Sequence, residues 1–118
     1  SRYENFKFTV EDVVADNSSS SGFVIGQWCF PEIDISNLGM VMEFDGRAVQ
    51  IGSSAAILGH PARSLATASR MVAEDGEKLS AGDIVMAGGA TAAEALYEGV
   101  SVRNSVEDLG FCGFGVSK

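Results

Sequence analysis

The chain has 118 residues, 46% hydrophobic and 20% charged, a balance that fits one folded globular domain and excludes a disordered chain. Sixteen acidic against eight basic side chains give a net charge of −8. With no cluster of Lys and Arg, nucleic acid is excluded as a partner, and no apolar run approaches the length of a membrane span.

The amino terminus lacks the basic-then-apolar pattern of a signal peptide, so none is expected. It opens on Ser1-Arg2-Tyr3 without an initiator Met, and further sequence is expected upstream. Thr9-Val10-Glu11-Asp12 has the form of a capping box that opens a short helix, broken by Asp16-Asn17 and the serines that follow. Residues 18–21 are four serines flanked by Phe23-Val24-Ile25; the apolar run predicts a strand, which makes the serines an ordered turn rather than a linker. A turn of hydroxyls and exposed amides over Asp16-Asn17-Ser18-Ser19-Ser20 can hold a small carboxylate, although taken alone the segment favours an ordinary Asx or Ser turn.

Glu32-x-Asp34 would place two carboxylates on one strand face, which a hard divalent cation accepts only if a third oxygen ligand arrives. Pro31 before it and Ser36-Asn37 after it favour an exposed connector. Next, Met40-Val41-Met42-Glu43-Phe44 and Arg47-Ala48-Val49-Gln50-Ile51 flank Asp45-Gly46, the pattern of a tight hairpin, so Glu43 and Asp45 read as strand edge and turn. Pro61 then starts the main helix, about residues 61–75. Ala62, Leu65, Ala66, Ser69, Val72 and Ala73 lie on one face, and Gly76 is a left-handed stop. His60, the one histidine, sits where a side chain caps a helix start, although general acid or base work also suits it. The acidic group Glu74, Asp75 and Glu77 reads as a solvated helix end.

The remainder reads as β structure: residues 84–86, 100–102 and 111–116. Gly88-Gly89-Ala90-Thr91 is either a plain glycine loop or a backbone surface that a ligand can approach closely. Cys29 and Cys112 read as buried, reduced thiols of a cytoplasmic protein. The whole predicts an α+β chain, mixed but mainly antiparallel, with one main helix.

Several segments then occur together and in order: Tyr3-Glu4-Asn5-Phe6-Lys7-Phe8, Val14-Ala15-Asp16-Asn17-Ser18-Ser19-Ser20, Leu38-Gly39-Met40-Val41-Met42-Glu43, Ala55-Ala56-Ile57-Leu58-Gly59-His60-Pro61 and Ala81-Gly82-Asp83-Ile84-Val85-Met86. In these the chain resembles the carboxy-terminal part of the 4-oxalocrotonate decarboxylase and 2-keto-4-pentenoate hydratase family, within the fumarylacetoacetate hydrolase superfamily. The segment from Tyr3 to Phe8 and His60 tilt the likeness towards the decarboxylases, since sibling hydratases more often carry Asn at the latter position.

The resemblance implies a barrel-like β-roll, of which residues 1–118 form a single domain or half-domain, and a cytoplasmic lyase of aromatic meta-cleavage catabolism. It implies a small 2-keto acid as substrate and Mg²⁺ or Mn²⁺ as the electron sink when CO₂ leaves or water adds. Ser19 and Ser20 would line the substrate pocket, Asp16 and Asn17 would shape that turn, and Gly88, Gly89 and Thr91 would form a backbone-rich wall. The family's Glu-x-Glu pair, its third metal-binding Glu and its catalytic Lys and Asp all fall upstream of Ser1, so this chain is expected to bind no metal and catalyse nothing alone. Ala87, Ala95 and Val100 also replace the family's more usual Thr, Pro and Asp. Self-association, or a partner polypeptide supplying the missing half, is expected to cover the surfaces that half would bury.

Overall fold

The structure is a computed structural model, and it describes residues 3–118. Thr9 caps helix α1 (Val10–Ala15) as a reciprocal capping box: its Oγ1 accepts from the Asp12 amide at 3.3 Å, while Asp12 Oδ2 accepts from the Thr9 amide at 2.9 Å. The helix ends at Asp16, and Asn17, Ser18 and Ser19 all take left-handed backbone angles, with φ of 50°, 54° and 55°. Three consecutive non-glycine residues in that region store local strain, on the order of 1 kcal/mol or more each.

Four strands form one open antiparallel sheet in the order β2-β1-β3-β4: β1 (Gly39–Phe44), β2 (Arg47–Ser53), β3 (Ser101–Val106) and β4 (Gly110–Gly115). Asp45 and Gly46 both have positive φ, 51° and 77°, which matches the right-handed twist of the β1–β2 hairpin. Asp45 does more than turn the chain. Its carboxylate accepts from the Tyr97 hydroxyl at 3.0 Å and the Ser101 amide at 2.9 Å, and its own amide donates to Ser101 at 2.9 Å. These bonds fasten the hairpin to the start of β3 and hold the Asp45 carboxyl below the usual carboxylate range, the Ser101 amide being the larger cause. The same contact pushes the Tyr97 phenol up.

Alternation along the strands gives the sheet two faces. Phe44, Val100 and Val102 form the buried core of the inner face, with Met42 and Val116 packed against them. A second small group, Leu38, Ile57 and Ser54, closes the other end of the β1–β2 hairpin; Ser54 Oγ accepts from the Leu38 amide at 2.7 Å and donates to the Ile35 carbonyl at 2.8 Å. On the outer face Arg103 stacks 3.9 Å from the Phe111 ring centroid and lies 4.0 Å from Glu43.

Helix α2 (Pro61–Glu74) starts as the sequence predicts, with Pro61 in the first turn and His60 Nδ1 accepting from the Ala62 amide at 3.0 Å. Gly76, at φ 80°, completes a Schellman stop in which the Gly76 amide donates to Ala73 and the Glu77 amide to Val72. Two expected strands do not form. Residues 23–25 and 84–86 run without regular secondary structure, because each has the apolar composition of a strand but no partner strand beside it among the described residues. The expected 100–102 strand is longer and begins one residue later, while 111–116 is shifted by one. Cys29 and Cys112 are free, half-buried thiols.

Much apolar surface is uncovered. Trp28 (83%), Phe30 (81%) and Ile51 (75%) are largely exposed, and α2 buries no residue. The accessible surface is 8931 Å², roughly 2,800 Å² more than a compact monomer of 12.3 kDa presents. The radius of gyration, 15.6 Å, likewise exceeds the roughly 13.5 Å of a compact chain of this length. Among the described residues no helix is long and apolar enough to cross a membrane.

Candidate functional site: a serine and glycine cleft

The two segments singled out for ligand contact meet. Asn17, Ser18, Ser20, Ser21, Gly22 and Phe23 form one side of a 640 Å³ cleft, and Met86, Ala87, Gly88 and Gly89 form the other. The left-handed turn makes this possible. It reverses the chain after α1, with the Ser19 amide donating to Asp16 at 2.8 Å and the Ser20 amide to Asn17 at 3.0 Å, and so presents side chains 17, 18 and 20 to the cleft. Across from it, Gly88 and Gly89 expose bare backbone; a Cβ on Gly88 would meet Ile57 Cγ2 at 3.9 Å and one on Gly89 the Thr91 carbonyl oxygen at 3.4 Å.

The other expected residues have distinct places. Asp16 is buried, 8% exposed, at the helix end beneath the turn. Ser19 does not line the cleft; its Oγ is buried and has no hydrogen-bond partner among the described residues. A buried hydroxyl left unpaired costs about 1–3 kcal/mol, so this turn carries both backbone strain and an unmet donor. Thr91 lies in an adjoining 350 Å³ cleft with Met40, Met42, Ile57 and again Gly88 and Gly89, and its hydroxyl donates to the Ala92 carbonyl at 3.2 Å. The backbone beside Thr91 is pressed against β2: a Cβ on Gly52 would come within 2.7 Å of Thr91 Cγ2 and 2.8 Å of the Ala90 carbonyl oxygen.

The sequence reading did not single out Phe23 and Met86 as cleft walls. Each lies in an apolar run that reads as a strand, and only the folded chain turns both towards one space.

The donors present among the described residues do not assemble the metal site that the resemblance implies for the family. Glu32 and Asp34 stay on an exposed connector, where Asp34 Oδ1 accepts from the Ser36 amide at 2.9 Å, a bond that lowers its pKa. No group of three or more His, Cys, Asp or Glu that could hold a metal ion occurs among the described residues. His60 is occupied as a helix cap. The described side chains therefore do not fit a divalent ion by themselves.

Residues 2–117 match the family model described as fumarylacetoacetate (FAA) hydrolase C-terminal. A 4-oxalocrotonate decarboxylase of Pseudomonas sp. is 60% identical over 114 residues, 97% of this chain but 44% of that protein. A 2-keto-4-pentenoate hydratase of Dechloromonas aromatica is 34% identical over 93% of this chain and 43% of its own length. Among solved structures, 4-oxalocrotonate decarboxylase from Pseudomonas putida G7, complexed with magnesium and adipate, superposes with a TM-score of 0.87 at 43% identity, over 96% of this chain and 44% of that one. The same enzyme complexed with calcium and acetate gives 0.80 at 41% identity, over 86% and 40%. The chain thus spans less than half the length of the relatives it matches, and its sheet and helix correspond to one half of their fold. It belongs to the fumarylacetoacetate hydrolase C-terminal family.

Proposed function

We propose that this chain supplies the substrate-facing wall of a lyase for small 2-keto dicarboxylates, of the 4-oxalocrotonate decarboxylase type, and does not complete the reaction alone. The observation that carries the reading is the convergence of residues 17, 18 and 20–23 with residues 86–89 on one cleft. Exposed amides and hydroxyls on one side and side-chain-free backbone on the other suit a small carboxylate, which needs several donors and close approach rather than one strong cation. The likeness to decarboxylase structures holding adipate or acetate supports the same class of ligand. Asn17 Nδ2 donates to the Ser20 carbonyl at 3.3 Å and keeps a second proton for the acid, while Ser20 Oγ would turn from the Ser18 carbonyl, 3.4 Å away, to donate to it. Gly88 and Gly89 would let the acid lie against the backbone, and Asp16 and Ser19 would set the turn from beneath. Thr91 would border the far side of the glycine loop. A hydratase acting on 2-keto-4-pentenoate is the neighbouring reading, since both kinds of enzyme match this chain.

A divalent ion would require carboxylates from outside residues 3–118, so no step is assigned to one here. The uncovered surface supports a covering partner: the remaining part of a longer polypeptide, a separate chain, or a second copy. The excess of roughly 2,800 Å² is comparable with what large obligate interfaces bury. Calorimetry with oxalate, with and without Mg²⁺, tests the cleft. Oxalate is expected to bind the chain, and Gly88→Val, which puts a branched side chain beside Ile57 where the two clefts share the glycine loop, is expected to weaken it at least about tenfold, a loss of 1.4 kcal/mol. Unchanged binding in that variant would remove the cleft from the function.

A further inference from the structure

Asn104 is an amide in an apolar series. On β3 it alternates with Val102 and Val106 on the inner face, and it pairs across the sheet with Met42 on β1 and Cys112 on β4. It lines the 350 Å³ cleft that continues from Gly88 and Gly89, and also a 530 Å³ cleft walled by Phe23, Val102 and Phe114. Thr91 and Asn104 carry the only hydrogen-bonding oxygen or nitrogen atoms among the side chains of the smaller cleft. Thr91 directs its hydroxyl proton to the Ala92 carbonyl, whereas the Asn104 carboxamide, half-buried, makes no hydrogen bond among the described residues. A half-buried amide among apolar neighbours gains from a partner that arrives with a ligand.

Resting on the cleft reading above, we propose that Asn104 is a specificity-determining residue: its side-chain NH₂ donates to the far carboxylate of a bound 2-keto dicarboxylate whose keto-acid end lies against Gly88 and Gly89. A neutral amide suits this task better than Lys or Arg. A carboxylate that departs as CO₂ loses its charge, so a cation would stabilise the starting state and oppose departure, while an amide orients the group in weakly solvating surroundings. A monocarboxylic 2-keto acid has nothing to offer this donor. Asn104 therefore separates the dicarboxylate reading from the hydratase-like one.

The test is nuclear magnetic resonance of the 118-residue chain titrated with oxalate and, separately, adipate. Both acids are expected to shift the Gly88 and Gly89 amides, and only adipate to shift the Asn104 side-chain NH₂. Asn104→Leu is expected to weaken adipate about 10- to 100-fold and oxalate by less than about threefold, from the usual worth of a hydrogen bond to a charged group. The near-isosteric Asn104→Asp, which keeps the packing, is expected to weaken adipate further by like-charge repulsion. An Asn104 signal that stays still while adipate saturates Gly88 and Gly89 would overturn the inference and leave the cleft reading intact, and so would equal weakening of both acids in the variants. If neither acid moves Gly88 or Gly89, the cleft reading fails and the Asn104 role falls with it.

Discussion

Helix α2 and the four-stranded sheet are both regular and both well capped, yet they differ in what holds them. The sheet buries Phe44, Val100 and Val102 and is cross-linked by Asp45, whereas α2 buries nothing and leaves Leu65 46% exposed on the face its spacing marks as apolar. Residues 23–25 and 84–86 side with the helix: apolar, partly exposed and outside the sheet. Regularity and burial are thus separate properties. The inner face of β1 and β3 carries the core, while the helix, the two irregular segments and the exposed Trp28, Phe30 and Ile51 carry apolar surface that a covering partner would bury.

The largest expected effect falls on the sheet. Phe44→Ala should cost about 3–5 kcal/mol in urea unfolding, as large-to-small changes in a packed core do, whereas Leu65→Ala should cost under about 1 kcal/mol in the isolated chain. A covering partner should raise the Leu65→Ala penalty and leave that of Phe44→Ala unchanged; equal penalties at the two sites without one would erase the contrast. Gly52→Val comes next. Its Cβ would collide with Thr91 and the Ala90 carbonyl, so a loss of about 1–3 kcal/mol is expected together with weaker oxalate binding as the glycine loop shifts. His60→Ala should remove the α2 cap at a cost of about 1 kcal/mol, and His60→Asn should restore it, read by helical circular dichroism on heating.

The smallest effect is one of pH. The Asp45 carboxyl is depressed in the folded chain, so the stability it adds is full above the unfolded carboxylate value of about 3.9 and is lost as pH falls through the lower folded value. Tyr97, raised in the folded chain, adds stability that is full below about 10 and is lost as pH rises through its folded value. Asp45→Asn keeps the left-handed turn and should flatten the acid limb of the melting-temperature profile; an unchanged acid limb would show that the hairpin latch does not depend on charge.

Local devices were legible in the sequence because their partners are near. The capping box at Thr9, the Asp45-Gly46 turn, Pro61 at the helix start and the Gly76 stop each depend on residues within a few positions. The apolar runs at 23–25 and 84–86 were misread as strands because a strand is a relation between two segments, and composition does not name the second one. Asp45 likewise looked like a turn residue, since its bonds reach Tyr97 and Ser101, 52 and 56 positions away. The serine turn and the glycine loop were each ambiguous alone; the fold contributes the fact that they face each other. Asn104 lies beyond the strand expected at 100–102, so neither its face nor its neighbours across the sheet could be read from the sequence.

The wall role proposed for this chain leaves the rest of the reaction machinery to other residues. It is tested most directly by following loss of CO₂ from a six-carbon 2-keto dicarboxylate with Mg²⁺ present, first with the 118-residue chain and then with the upstream half of a family member added. No turnover by the chain alone, and turnover that appears on adding the second part and disappears again in Gly88→Val, is the predicted result. Sustained turnover by the purified 118-residue chain would contradict it.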